Sequence, residues 1–197
     1  MNYKASTIFF IITTLILAGI LGYFIFHKTP AAPPIQNQPS NNLQTYKNGT
    51  DNFQFQYPAE FYFVEPTGYS FLENPLVQIQ ADATNFPGTN LGDYAFSVSN
   101  QYNFPDCLKS ENDKVALTET QVINGVTFYK DTTTGAAAGN LYDSQVYRTV
   151  RNNWCYELNL TVHTGNIGNY PEGTVKEVDK NKVFDALNQI LVTFKFF

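Results

Sequence analysis

The feature that most constrains this chain is an apolar segment near its start, which runs from Ser6 to Phe26. The segment contains no acidic, basic or amide side chain. A helix of about 20 such residues matches the thickness of the hydrocarbon core of a bilayer. We therefore expect residues 1–28 to form an N-terminal transmembrane helix that anchors the protein to a membrane.

The residues that flank this segment bear on its orientation and its retention. Lys4 precedes the segment and Lys28 follows it, so positive charge alone does not set the orientation. A short basic tail ahead of a long apolar helix is typical of an uncleaved signal-anchor. Cleavage after Ala31-Ala32 or near residues 20–22 is the alternative, although Pro33 would follow the first of these sites. We expect a single-pass protein whose C-terminal domain lies outside the cytoplasm.

The sequence after the anchor divides into a spacer and one domain. Residues 29–44 are rich in proline, asparagine and glutamine and cannot form a core. Residues 45–197 suffice for one domain with its own core. The whole chain has a net charge of −5, and two of its 12 basic side chains flank the anchor. This acidic domain has no basic run that could follow a phosphate backbone, so nucleic-acid binding is not expected.

The composition and the residue pattern of the domain predict a β-rich structure. The chain contains 17 Phe and 13 Tyr but only one Met, a balance that favours strands. Alternation of apolar and polar residues predicts strands at 53–57, 61–65, 76–80, 94–99 and 192–197. A helical stripe after the capping residue Asp179 predicts one amphipathic helix across the sheet.

Two hairpins are predicted from turn residues. Asn124-Gly125 lies within residues 118–130 and supplies both positive-φ residues of a type I′ turn. Residues 151–153 should turn a second hairpin that spans 142–164, in which alternate residues of the last strand enter the core. The run of small residues at 132–140 is expected to be a mobile loop.

Cys107 and Cys155 are the only cysteines in the chain. In an oxidising compartment an even pair predicts a disulfide. A redox-active pair is the alternative, but the spacing is not Cys-x-x-Cys and no basic residue adjoins either thiol. We expect a structural disulfide between Cys107 and Cys155.

The order of these elements resembles a known family of domains. The strand FQFQYP at residues 53–58, the aromatic Phe61, the hairpins, the late helix and the TFKF strand at 193–196 are similar to the PsbP/Mog1-like family, in particular to membrane-anchored bacterial PsbP-like proteins. The resemblance covers about residues 45–197. It implies an α+β domain, with an antiparallel β-sheet and one or more flanking helices, that works as a binding or assembly module.

No motif in the chain specifies a catalytic residue, a cofactor or a metal. His163 is the one histidine beyond the anchor flank, and Glu157 lies too far along the same strand to act with it, so we expect a solvated strand histidine. Glu111, Asp113 and Glu119 are candidates for acid–base chemistry or Ca²⁺ binding but lack the ligand pattern of a calcium loop. Asp82 and Asp93 flank the Pro87-Gly88 loop and could approach each other, but we expect solvated loop carboxylates there.

Clusters of aromatic residues are the remaining candidates for function. Residues 61–71 and 86–104 hold more Phe and Tyr than one buried strand face can take, so some should be exposed. The leading hypothesis is a membrane-anchored extracytoplasmic binding or assembly module, whose partner is another envelope protein. The alternative is a cell-envelope hydrolase that uses paired carboxylates.

Overall fold

The computed structural model of the protein describes residues 42–66 and 70–197. The predicted anchor at residues 1–28 and nearly all of the predicted spacer lie outside these ranges. Among the helices in the described ranges, none has both the length and the apolar character needed to cross a membrane.

The described residues form two antiparallel sheets and one α-helix, which confirms the α+β class. A seven-stranded sheet has the order β3-β4-β5-β9-β8-β7-β6, and a three-stranded sheet has the order β1-β2-β10. The strands are β1 (Leu43–Asn48), β2 (Phe53–Pro58), β3 (Tyr62–Val64), β4 (Asn74–Asp82), β5 (Leu91–Tyr102), β6 (Thr120–Ile123), β7 (Val126–Ala137), β8 (Asn140–Arg151), β9 (Trp154–Gly165) and β10 (Lys195–Phe196). The helix is α1 (Lys180–Leu191).

Both predicted hairpins are confirmed. Asn124 and Gly125 have φ values of 45° and 84° and join β6 to β7. Asn152 and Asn153 have φ values of 51° and 64° and join β8 to β9. Asparagine and glycine tolerate the left-handed region, and the primed turns they form match the twist of the flanking strands.

The prediction of a mobile loop at residues 132–140 is wrong. β7 continues to Ala137, which pairs with Asn140 of β8. Ala138 and Gly139 form the turn between them, with φ values of 49° and 81°. The threonines in this run favour extended backbone, and a continuous ladder with β8 extends the hairpin into the small-residue run.

The core lies between α1 and one face of the larger sheet. The predicted stripe of the helix is buried, and the side chain of Asp179 accepts a hydrogen bond from the backbone N–H of Asn181 as an N-cap. Aromatic rings join the two sheets, with centroid distances of 5.0 Å for Phe55 and Phe96 and 4.9 Å for Tyr156 and Phe196. The buried residues of the helix are Val183, Phe184, Leu187, Ile190 and Leu191.

The last strand is shorter than the predicted span of 192–197. Val192 is the C-cap of α1, and the backbone N–H of Thr193 donates to the carbonyl of Ile190 over 3.0 Å. This tight exit from the helix leaves only Lys195 and Phe196 to pair with β2.

The sheet face opposite α1 is also buried along β9. Glu157, Asn159 and Thr161 have relative exposures of 1%, 4% and 3%. Polar groups at such positions must find partners, since a buried group without a hydrogen bond is costly. We call the sheet face opposite α1 the polar face. It carries buried polar and charged side chains, so it is the place to look for a functional site.

Candidate functional site

A buried arginine organises one end of the polar face. Arg148 is fully buried, and its Nε donates to Glu157 Oε2 over 2.8 Å. Its Nη2 donates to Glu111, and its Nη1 donates to the backbone carbonyl of Lys109 over 2.9 Å. The guanidinium thus connects β8, β9 and the segment that precedes β6.

The second oxygen of Glu157 is also occupied. Its Oε1 accepts hydrogen bonds from Ser70 Oγ and from the backbone N–H of Phe71, both over 3.2 Å. The ring of Phe71 lies 5.1 Å from the guanidinium of Arg148. These contacts satisfy the buried charges in the way that a stable ion pair requires.

Glu111 is the more accessible carboxylate of this cluster. Burial raises the pKa of Glu111, and the positive charge of Arg148 opposes that rise. Glu111 and Glu157 are the two carboxylates that meet here, and each is bound to the same guanidinium. This arrangement lends no support to the hydrolase hypothesis, because it commits both carboxylates to ion pairs.

The disulfide lies beside this cluster. Cys107 and Cys155 are bonded, with their Cα atoms 5.6 Å apart, which confirms the predicted pairing. Both cysteines are buried and pack with Leu72. The bond fixes the segment before β6 to the start of β9, two residues from Glu157.

The other carboxylates weighed in the sequence do not converge. Asp113 Oδ1 accepts from the backbone N–H of Val115 over 3.1 Å, and Glu119 pairs with Lys130 over 3.0 Å. Within the described ranges, no three His, Cys, Asp or Glu side chains lie close enough together to hold a metal ion.

His163 lies at the opposite end of the polar face, where 21% of its side chain is exposed and both ring nitrogens have protein partners. Its Nδ1 is 2.9 Å from Asp93 Oδ2 and its Nε2 is 3.0 Å from Asn140 Oδ1. Tyr142 stacks on the ring at a centroid distance of 4.7 Å, and Gly92 lies against it, where an added Cβ would come within 2.8 Å of Nδ1. The ring is therefore only partly solvated, because residues of β5 and β8 bind it and stack on it.

Asp82 and Asp93 are opposite each other on β4 and β5, not in a loop. Their carboxylates nevertheless have different partners, since Asp82 Oδ1 accepts from the hydroxyl of Tyr62 over 2.7 Å. Each acid is therefore engaged by a separate neighbour.

The predicted excess of aromatic residues is confirmed in part. Phe61 and Tyr94 are buried in the core, whereas Tyr62, Phe63 and Tyr102 have relative exposures of 42%, 52% and 52%. Exposed rings therefore exist in the described part of the chain, in two separate places.

The second group of exposed and half-buried rings lies where β5 ends and β9 begins. Tyr102 packs against Trp154 at a centroid distance of 5.2 Å. The guanidinium of Arg151 lies 4.6 Å from the ring of Phe196, and the ammonium of Lys47 lies 4.4 Å from that of Phe197. The ring pair and these cation–ring contacts lie at the same end of the sheets, and we call them together the aromatic end patch; its members are Lys47, Tyr102, Arg151, Trp154, Phe196 and Phe197.

The aromatic end patch lies at the far end of β1 from Leu43, the first residue of that strand. The turn after β1 brings Asp51 to Asn100, whose Nδ2 donates to Asp51 Oδ1 over 2.8 Å. The backbone N–H of Phe197 donates to the carbonyl of Asn52 over 3.0 Å at the same turn. Leu43 and the aromatic end patch therefore lie at opposite ends of β1.

Sequence reasoning missed Arg148 and Arg151. The predicted turn at 151–153 could have revealed the second, because residues on both sides of a two-residue turn lie together at the hairpin end. The same hairpin register places Arg148 opposite Glu157 and could have revealed that pair, whereas Glu111 lies 37 positions away and gave no local signal.

Comparison with known proteins finds likenesses of fold only. No family model matches the chain, and no curated protein matches it. Among solved structures, it is similar to a protein from Bacteroides thetaiotaomicron VPI-5482, with 15% identity, a TM-score of 0.47, and coverage of 78% of this chain and 48% of the other. The chain thus spans about half the length of that protein.

Two further structures are similar. One is cyanobacterial PsbP from Synechocystis sp. PCC 6803, with 15% identity, a TM-score of 0.46, and coverage of 79% of this chain and 92% of the other. The second is LpqN of Mycobacterium tuberculosis, described as involved in cell envelope biogenesis, with 10% identity, a TM-score of 0.42 and coverage of 79% and 91%. A PsbP is thus among the structures that this fold resembles, as the sequence resemblance implied.

Proposed function

We propose that residues 45–197 are an extracytoplasmic binding or assembly module, held at the cell membrane by the N-terminal segment. Its partner is another envelope protein, which docks on the aromatic end patch. The observation that carries the proposal is the composition of that surface, where Tyr, Trp and Arg side chains are partly exposed and already ordered against one another.

The chemistry of the aromatic end patch supports a protein partner. Tyr, Trp and Arg are the residues that most often dominate the binding energy of protein interfaces. Tyr102 and Phe197 are about half exposed, and both have stacked or cationic neighbours that limit their freedom before binding. Lys47 and Arg151 add positive charge in an acidic protein, so the partner should present apolar side chains with carboxylates around them.

The disulfide supports the location. Disulfides persist in oxidising compartments and are rare in the cytoplasm. Cys107 and Cys155 form a buried bond beside the Arg148 cluster, which marks it as structural. This bond therefore supports the export of residues 45–197.

A thiol-trapping experiment tests the location. Cells that express the full chain are quenched in acid, and free thiols are labelled with a maleimide carrying a polyethylene glycol chain. The chain has only two cysteines, so the oxidised form gains no label and the reduced form gains two. We expect no labelling until a reductant is added. Full labelling without reductant would place the domain in the cytoplasm and overturn the proposal.

A site-specific photocrosslinking experiment tests the partner. A benzophenone amino acid replaces Tyr102 in the full-length protein, and a matched control carries it at Val122, which is 67% exposed on β6. We expect one envelope protein to be crosslinked from position 102 and not from position 122. Arg151→Glu should weaken that product at least tenfold, since it reverses a charge within the patch. Equal products from both positions, or a product insensitive to R151E, would contradict the proposal.

A further inference from the structure

The outer edge of the seven-stranded sheet is only partly covered. β6 pairs with β7 from Thr120 to Ile123, and the last ladder bond on that side runs from the N–H of Lys130 to the carbonyl of Glu119 over 2.9 Å. β7 continues to Ala137, paired with β8 alone. Residues 133–137 are therefore a strand edge with no neighbour among the described residues.

The direction of the backbone groups on this edge follows from the register. Ala137 and Asn140 close the hairpin with β8, so alternate residues from Ala137 backwards bond inward. Lys130 bonds outward to β6, which fixes the even positions as outward-facing. The N–H of Thr132 is already taken by Asp131 Oδ1 over 2.9 Å. Thr134 and Ala136 therefore present unpaired N–H groups to the outside.

This edge lacks the usual protection against strand pairing. Natural edge strands carry lysine, proline or a bulge, or are very short. Thr132, Thr134, Gly135, Ala136 and Ala137 are all exposed, and none of them is charged. By contrast, β3 is three residues long and β6 is four. Small side chains along residues 133–137 leave the backbone open to a close neighbour.

We propose that this edge pairs with the same edge of a second copy of the chain. Antiparallel pairing centred on Thr134 places Thr134 opposite its own copy and Ala136 opposite Thr132, so that outward-facing groups meet. Asp131 then lies opposite Ala137, so the two Asp131 carboxylates do not face each other. About four to six interchain hydrogen bonds form, and two seven-stranded sheets become one continuous sheet.

Cysteine crosslinking of the full-length protein in its native membrane tests this register. In hydrogen-bonded antiparallel pairs the Cα atoms are about 5.5 Å apart, within the range that a disulfide spans. Thr134→Cys should therefore give a disulfide-linked homodimer on mild oxidation. Ala136→Cys is the matched control, because its two copies lie about 14 Å apart along the strands in this register. We expect the T134C dimer to exceed the A136C dimer at least tenfold.

Two further variants complete the test. Co-expression of T132C and A136C chains should give a mixed dimer, because these positions are opposite each other. Thr134→Lys sets two ammonium groups face to face and should shift the detergent-solubilised protein towards monomer in sedimentation experiments. Equal crosslinking from T134C and A136C, a crosslink to a different protein, or a monomer for the unmodified chain would each overturn the proposal.

Discussion

The two faces of the seven-stranded sheet are buried by different chemistry. On the helix side, Phe96, Leu158 and Leu160 are fully buried among apolar neighbours. On the opposite side, Arg148 and Glu157 are as deeply buried but as an ion pair. Burial of apolar area is non-directional and tolerates repacking, whereas buried charges depend on the position of each partner.

Side chains of the polar face form a chain of contacts. Ser144 Oγ lies 2.9 Å from Thr161 Oγ1, which donates to Asn159 Oδ1 over 3.1 Å. The Arg148 cluster lies at one end of this face and His163 at the other. A substitution on the helix side should lower stability because it removes buried apolar area. A substitution on the polar side should lower stability because it leaves a buried polar group without its hydrogen-bond partner.

The largest expected effect is the loss of Arg148. Arg148→Met leaves Glu157 buried without its cation, which should lower the free energy of unfolding by about 3–5 kcal/mol. Leu158→Ala on the helix side should lower it by about 2–5 kcal/mol. Urea unfolding followed by circular dichroism measures both.

The effect of a second substitution on stability distinguishes the two faces. Glu157→Met added to Arg148→Met should recover much of the loss, because apolar side chains of similar volume can replace a buried ion pair. A second apolar substitution added to Leu158→Ala should not recover stability in this way, because no buried charge has lost its partner. If the R148M and E157M losses simply add, the ion pair does not account for the stability of this face.

Removal of the disulfide should have the next largest effect. The Cys107→Ala, Cys155→Ala variant frees a loop with a sequence separation of 48. The loop-entropy relation predicts a loss of about 4 kcal/mol. Chemical reduction of the native protein should cause a similar loss in urea unfolding. A much larger loss on mutation than on reduction would assign the effect to lost packing of the sulfur atoms.

The sequence predicted those elements whose causes are local. Asn124-Gly125 and Asn152-Asn153 specify their turns through backbone conformation, and the stripe of α1 follows from helical spacing. The turn at Ala138-Gly139 lacks an asparagine, so the small residues before it predict a loop where the structure has a strand. Whether a hairpin could be predicted therefore depended on the two residues that form its turn.

Only the Arg148–Glu157 pair of this cluster could be predicted in the same way, because the Asn152-Asn153 turn places the two residues opposite each other. The carboxylates of the cluster, Glu157 and Glu111, lie 9 and 37 positions from Arg148 in the sequence. They meet only because β8 and β9 pair in one register and the disulfide-bonded segment folds back over them. The partners of His163 were missed for a related reason, because they come from β5 and β8.

Tyr147 gives a pH-dependent test of the helix side. Burial raises the pKa of Tyr147 to about 12, and its hydroxyl donates to Gln145 Oε1 over 3.0 Å. The unfolded phenol ionises near pH 10. The stabilisation is therefore complete below pH 10 and is lost as the pH rises towards 12, by about 1 kcal/mol at pH 11.

Between pH 9 and pH 11, the Tyr147→Phe variant should lose less unfolding free energy than the unmodified protein does. Val146→Ala, on the opposite face of the same strand, is the control because it lowers stability without changing any phenol. Urea unfolding at both pH values measures the difference. If Y147F and the unmodified protein lose stability equally, ionisation of other groups explains the alkaline response.

The smallest expected effect is steric and concerns the contact between Gly92 and His163. A Cβ at position 92 would lie 2.8 Å from His163 Nδ1, so the ring must move away from Asp93 and Tyr142 in Gly92→Ala. We expect a loss of about 1 kcal/mol, comparable to one hydrogen bond. In a His163→Ala background the same substitution meets no ring, and alanine is better suited than glycine to a strand. Gly92→Ala should then be neutral or stabilising. Urea unfolding of the unmodified protein, the two single variants and the double variant gives the coupling free energy between positions 92 and 163. A coupling near zero would show that the position of the ring does not depend on the glycine.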